Sequence, residues 1–206
     1  GCILGVKASN SASQKDLTDS YGEFKEEAQN YQKDYSPKTI NTDSWSGTRN
    51  ALKALFPNAT LTLCFLHVFI KIRDRIKKKT AQDIFKQVAD RLWNCYSALS
   101  KRSFSQRSRR FCEWILNDKE NNNVPEPVIK TVEKFQKNLS DYSSTYNHES
   151  CHRTSNMIDR LMQRMKKHIT NIQYFHGSLR AANVSIRAWA LIHNFAPFNP
   201  RTIKQH

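Results

Sequence analysis

The chain has 206 residues, of which 38% are hydrophobic, 11% aromatic and 25% charged. This length and aromatic content allow a packed core and exclude a disordered composition. The apolar runs are shorter than the roughly 18 residues of a transmembrane helix, so no membrane-spanning segment is expected.

Positive charge is concentrated in the later part of the chain. Residues 1–60 contain seven Lys or Arg and seven Asp or Glu, whereas residues 61–206 contain 26 Lys or Arg and 11 Asp or Glu. The whole net charge of +15 therefore lies after residue 60. A region this basic indicates a polyanionic partner, with nucleic acid as the natural choice and a generic basic surface as the alternative.

The cysteines indicate free thiols in a reducing compartment. Their number is odd, their spacing is irregular, and no secretory signal precedes them. They are Cys2, Cys64, Cys95, Cys112 and Cys151. The chain also lacks a starting Met, which suggests a segment of a longer protein.

The first third of the chain alternates between predicted strands and helices. Strands are predicted at residues 2–9, around 38–45 and at 59–65, with helices at 14–31 and 46–55 between them. This alternation is typical of an α/β sheet with crossover helices.

From residue 65 onward the hydrophobic periodicity predicts helices and no convincing strand. The predicted helices span residues 65–76, 81–99, 104–116, 128–139, 156–169 and 179–194. The predicted organisation is a small α/β part at residues 1–66, a helical insertion at 67–147, and helices at 148–206 that return to the first part. An independent helical domain in the middle is the alternative.

Two carboxylates are candidate metal ligands. Asp43 follows a predicted strand, and the carboxyl ends of strands in an open α/β sheet are where ligands bind. Asp159 lies in the first turn of a predicted helix. Carboxylate oxygens suit Mg²⁺. The alternatives are that Asp43 caps the following helix and that Asp159 closes a capping box begun by Asn156.

Cysteine and histidine form a second candidate group, with Cys64 and His67 in a Cys-x-x-His spacing and Cys151 next to His152. A zinc site or a Cys/His nucleophile could use these residues, but the spacing is unusual for zinc and nothing else suggests acyl transfer.

Basic residues on two predicted helices are candidate phosphate contacts. A solvated helix face is the alternative. The candidates are Lys71, Arg73, Lys77, Lys78, Lys79, Arg107, Arg109 and Arg110.

Six segments together show a family resemblance. They are residues 37–45 (PKTINTDSW), 51–57 (ALKALFP), 64–75 (CFLHVFIKIRDR), 153–162 (RTSNMIDRLM), 173–177 (QYFHG) and 187–197 (RAWALIHNFAP). On these segments the chain resembles the catalytic domain of prokaryotic insertion-sequence transposases of the DDE/DDD type. The segments occur in the family's order and span nearly the whole chain.

The resemblance implies a ribonuclease H-like mixed sheet flanked by helices, with a long all-helical insertion between the second and third catalytic acids. It implies that Asp43 is the second acid and Asp159 the third, with Glu149 as the rival for that position. Cys64 and His67 match a Cys-x-x-His element that some relatives carry.

The implied chemistry is cleavage of transposon-end DNA with Mg²⁺, for which Mn²⁺ can substitute, followed by strand transfer of the 3′-hydroxyl. The implied partners are transposon ends, target DNA and further copies of the protein on DNA. The implied location is the nucleoid of a prokaryotic cytoplasm.

One departure concerns the family's first acid, which has no counterpart in this chain. The expectation is therefore an incomplete protein that does not cleave DNA alone. Two other functions stay open: a non-catalytic DNA-binding remnant or domesticated transposase, and another nuclease on the same fold.

Overall fold

The computed structural model describes residues 2–76, 82–118, 124–149, 151–175 and 177–196. Lys77, Lys78 and Lys79 lie outside the described residues. The helices and strands are α1 (Gln14–Tyr31), β1 (Thr39–Thr42), α2 (Ser46–Leu55), β2 (Thr60–Leu63), α3 (Phe65–Arg75), α4 (Gln82–Tyr96), α5 (Lys101–Asp118), α6 (Glu126–Lys137), α7 (Leu139–Ser143), a 3-10 helix (Ser144–Asn147), α8 (Asn156–Asn171) and α9 (Leu179–Phe195).

The expected α/β fold with a ribonuclease H-like mixed sheet is wrong. Within the ranges that the structure describes, the sheet consists of β1 and β2 alone, and the fold is predominantly helical. The two strands are parallel, with Thr39 opposite Thr60 and Thr42 opposite Leu63. The chain passes through α2 between them, since parallel neighbours require a crossover connection.

The strand predicted at residues 2–9 is also wrong, because its backbone bonds to helix side chains rather than to another strand. The Ile3 N–H donates to Asn194 Oδ1 over 2.8 Å, and Asn194 Nδ2 donates to the Ile3 carbonyl over 2.7 Å. Asn183 binds the backbone of Ala8 in the same two-way manner. Both asparagines lie on α9, and among the described residues the segment pairs with no strand.

The helix predictions are largely confirmed. α1 and α2 have the predicted bounds. At the start of α1 the Ser13 hydroxyl accepts a hydrogen bond from the Asp16 N–H, which is a typical N-cap. α7 and the 3-10 helix were not predicted, because elements of about one turn leave no periodicity to detect.

The chain divides into two compact units. The first contains the described parts of Gly1–Ser36, Ser46–Pro57 and Asn156–His206, and the second contains those of Pro37–Trp45 and Asn58–Ser155.

In the first unit α1 packs against α2, and Arg187 on α9 pairs with Glu23 and Glu27 on α1. The apolar stripe that was predicted on α8 is present in the sequence, but its side chains are not buried. Ile158 and Met162 on this helix are 55% and 52% exposed.

The second unit has a core centred on Phe65, the first residue of α3. Leu63 of β2 belongs to the same core as the apolar faces of α3 to α6. Five rings lie 5.6 to 6.4 Å from the Phe65 ring, and they belong to Trp93, Tyr96, Phe104, Phe135 and Tyr142. This packing fixes the start of α3 against the end of β2.

In the part of the chain that the structure describes, every helix is too short or too polar to cross a membrane.

Candidate functional site

Asp43 lies at the predicted position, directly after the last residue of β1. Its side chain is half-buried, and Oδ1 accepts a hydrogen bond from the Trp45 backbone N–H over 3.0 Å. This contact closes a short turn ahead of α2, as Asp side chains commonly do. An ionised carboxylate has about four acceptor sites, so the turn occupies only part of its capacity as a ligand.

A lysine lies beside this turn. Lys71 on α3 donates a hydrogen bond from Nζ to the Ser44 hydroxyl over 2.6 Å. Burial lowers the pKa of Lys71, the nearby charges of Lys134 and Arg75 lower it further, and the charge of Asp43 opposes the shift. Asp43 and Lys71 are therefore close enough to interact electrostatically.

Cys64 and His67 form a local hydrogen-bonded group at the start of α3. Cys64 is buried, and its Sγ accepts a hydrogen bond from the Ser155 N–H over 3.2 Å and lies 3.1 Å from the Ser155 hydroxyl. Burial raises the pKa of the Cys64 thiol, but hydrogen bonds from His67 and Ser155 outweigh burial, and the net pKa is lowered. Cys64 thus ties the start of α3 to residue 155.

Cys151 and His152 make other contacts. Cys151 Sγ lies 3.7 Å from the Thr62 hydroxyl, and the His152 carbonyl accepts a hydrogen bond from Asn41 Nδ2 over 2.7 Å. Among the described residues no group of three or more His, Cys, Asp or Glu side chains could hold a metal ion. The zinc hypothesis for Cys64, His67, Cys151 and His152 therefore finds no support. All five cysteines have free thiols.

The other candidate acids are Asp159 and Glu149. Asp159 is half-buried in the first turn of α8 and belongs to the first unit, whereas Asp43 belongs to the second. A carboxylate in the first helical turn is stabilised by the helix dipole, so this position has a structural explanation as well. Glu149 is exposed and follows the 3-10 helix in the second unit.

The predicted DNA-contacting arginines differ in their surroundings. Arg107 Nη1 donates to the Asn94 carbonyl over 2.8 Å, to Asn94 Oδ1 and to the Ser97 hydroxyl, so this side chain links α5 to the end of α4. Arg73 pairs with the adjacent Asp74. Arg109 and Arg110 are exposed on the outer face of α5. They line a shallow cleft together with Arg102, Ser105, Gln106 and Glu113.

Sequence reasoning did not assign a role to Arg153. Its Nη1 donates to the carbonyls of Tyr96 and Ala98 over 2.6 and 3.0 Å and to the Tyr146 hydroxyl over 2.7 Å. The guanidinium also lies over the rings of Tyr96 and Tyr146. The presence of Arg153 in the segment RTSNMIDRLM was the only feature of the sequence that pointed to this residue. No role was predicted for Lys134, whose charge acts on Lys71, because its position on α6 belongs to none of the segments that show the family resemblance.

The comparison with protein families gives one match. The model for the family described as "Transposase, Mutator family" matches residues 37–189 of the chain. A search of curated proteins finds no match. The family match includes Asp43, the Cys-x-x-His pattern and Asp159.

Proposed function

The chain belongs to the Mutator family of transposases, because the family match covers most of its length, and we propose that the complete protein cleaves and joins DNA through Mg²⁺ bound by carboxylates, two of which this chain supplies. Family membership implies DNA as the partner. The net charge of +15, all of it after residue 60, agrees with a DNA-contacting surface in the later part of the chain.

The observation that carries the proposal is the environment of Asp43 inside the matched range. A half-buried carboxylate directly after a strand, with an ammonium group nearby, combines a donor for a hard cation with a positive charge for phosphate. Asp159, which the family resemblance implies to be the third acid, is the other candidate ligand of the proposal. Each carboxylate would supply oxygen ligands, and waters and phosphate oxygens would complete the coordination.

The proposed reaction follows the DDE/DDD type. Water hydrolyses a phosphodiester at the element end, and the freed 3′-hydroxyl then attacks a phosphodiester of the target DNA and displaces the 3′-oxygen of the target strand. Mg²⁺, or Mn²⁺ in its place, would activate the attacking oxygen and stabilise the leaving one. Asp43 would bind the metal and keep its orientation through the bond from Trp45. Because the nucleophiles are water and a DNA hydroxyl, the reaction needs no covalent protein–DNA intermediate.

The test separates metal chemistry from DNA binding. Asp43→Asn and Asp159→Asn are compared with Asp90→Asn, an exposed position on α4. Three quantities are measured: Mn²⁺ binding and duplex binding by the 206-residue chain, and transposition by the complete transposase. We expect each candidate variant to weaken Mn²⁺ binding and abolish transposition while duplex binding is retained, and Asp90→Asn to behave as the wild type.

Transposition that survives either candidate substitution would remove that acid from the proposed centre. If wild-type chain binds duplex DNA and neither Asp substitution changes metal uptake or transposition, the protein acts as a DNA-binding module instead.

A further inference from the structure

The contact between Lys71 and Ser44 places a charged side chain at the carboxyl end of β1. Lys71 is half-buried, and within the described residues its ammonium makes one hydrogen bond, to a neutral hydroxyl. An ammonium has three N–H donors, and a partly desolvated charge is stable only when further acceptors compensate it. The site therefore favours an additional oxygen ligand near Lys71.

A second lysine lies next to the same position. Lys134 on α6 and Lys71 line a cavity of about 20 Å³ together with Ser44 and Thr131. That volume holds about one water molecule, so a larger ligand would contact the two ammonium groups from the solvent side. Lys134 is exposed and can meet such a ligand.

The charges around Ser44 are predominantly positive. Among the described residues, Lys134 and Arg75 act on Lys71 through repulsion, and the carboxylate of Asp43 acts on it attractively. Arg75 is directed toward α6, where its Nη1 donates to the Pro127 carbonyl over 3.0 Å and to the Thr131 hydroxyl. Lys71 and Lys134 are thus the two lysines that line the same cavity beside Ser44.

The nature of that ligand follows from the role of Asp43. A carboxylate that binds a divalent cation no longer neutralises a neighbouring ammonium, so metal binding leaves the charge of Lys71 uncompensated. A phosphodiester carries one negative charge and two free oxygens that accept hydrogen bonds, which matches a pair of point-charge donors.

We propose that Lys71, held by Ser44 and flanked by Lys134, binds a DNA phosphate beside Asp43. This inference rests on the proposed function, because it takes DNA as the anion. It places Lys71, already a candidate phosphate contact, beside Asp43, and it adds Lys134 from α6 as a second positioning contact.

The first experiment maps lysine accessibility in the full chain. Lysines are acetylated with and without a short DNA duplex of arbitrary sequence at low salt, and each site is quantified by mass spectrometry. We expect the duplex to protect Lys71 and Lys134 and to leave Lys137, an exposed lysine on the same helix as Lys134, as reactive as before.

The second experiment measures how duplex binding depends on salt. Loss of one phosphate contact reduces the slope of log K against log salt by about 0.9. We expect this reduction for Lys71→Gln and Lys134→Gln, the wild-type slope for Lys137→Gln, and recovery of the slope in Lys71→Arg. Circular dichroism of each variant confirms that the fold is intact.

The outcomes separate this inference from the proposed function. Suppose that the chain binds the duplex, but Lys71 is not protected from acetylation and Lys71→Gln keeps the wild-type salt slope. This result overturns the inference and leaves the proposed function standing. If the duplex protects Lys71 but the Asp43→Asn variant still supports transposition, the metal role of Asp43 is overturned and the phosphate contact of Lys71 stands. No duplex binding at low salt overturns both.

Discussion

Asp43 accepts a hydrogen bond from the Trp45 backbone N–H, 3.0 Å from its Oδ1. The same carboxylate is the proposed metal ligand, so it has both a structural and a chemical role. These roles are separable, because Asn retains an acceptor oxygen at the same position and loses only the charge.

Asp43→Asn should therefore preserve stability, whereas Asp43→Ala should lower the free energy of unfolding by about 1 kcal/mol through loss of the turn bond. Urea denaturation of both variants measures the difference. An Asn variant that is as unstable as the Ala variant would show that the charge itself stabilises the turn.

The arginines of α5 should fall into two classes. Arg107→Gln removes bonds to Asn94 and Ser97, so we expect the free energy of unfolding to fall by about 1–2 kcal/mol. Arg109→Gln and Arg110→Gln should leave stability unchanged and each reduce the salt slope of duplex binding by about 0.9.

Lys86→Gln, an exposed position on α4, controls for the loss of a surface charge. If Arg107→Gln reduces the salt slope as much as Arg109→Gln does, the side chain contacts DNA despite its bonds to α4.

Cys64 should make the folded state more stable as the pH rises. Hydrogen bonds lower the pKa of its thiol below the ordinary value of 9.0, so the folded protein loses this proton at a lower pH than the unfolded chain. The contribution is absent below the folded pKa, grows as the pH rises through it, and is complete above pH 9.0.

The measurement compares urea unfolding of the wild type and Cys64→Ser from neutral pH to pH 9.0. The stability advantage of the wild type should increase over this range, and a constant or falling advantage would contradict the assignment. Burial raises the pKa of Cys95 to about 11 and that of Cys112 to about 12. These raised pKa values have the opposite effect on stability. Both cysteines are present in the wild type and in Cys64→Ser, so their effect cancels when the stabilities of the two proteins are subtracted.

Arg153 should be a major stabilising residue of the second unit. Arg153→Lys keeps the positive charge but cannot bond two carbonyls and a hydroxyl from one planar group. We expect the free energy of unfolding to fall by about 2–3 kcal/mol, since charged hydrogen bonds to partly buried groups are lost. Arg160→Lys, at an exposed position on α8, is the matched control and should be neutral. Equal effects of the two substitutions would refute this role.

Local periodicity predicted the helices well. The spacing of Leu17, Tyr21 and Phe24 predicted α1, and the breaks around Pro57 predicted the end of α2. The position of Asp43 after a strand was predicted and is confirmed by β1, while its metal role stays a prediction.

Features that depend on distant partners were not predictable from local sequence. Residues 2–9 alternate like a strand, yet whether they form one depends on the neighbour, and here the neighbour is a pair of asparagines on α9. Arg107 has the charge of a DNA contact, but Asn94 and Ser97 determine its orientation. The size of the sheet was overestimated for the same reason, because strand pairing also depends on partners that are distant in sequence.

The bonds that join residues 64–65 to 153–155 have a consequence for folding on the ribosome. Cys64 and Ser155 are 91 positions apart in sequence, and the Phe65 N–H donates to the Arg153 carbonyl over 2.9 Å. Contacts of such long sequence separation raise the contact order and slow folding. The bonds at the end of β2 and the start of α3 therefore cannot form until residues 153–155 have been synthesised. During this interval the nascent chain is exposed to misfolding.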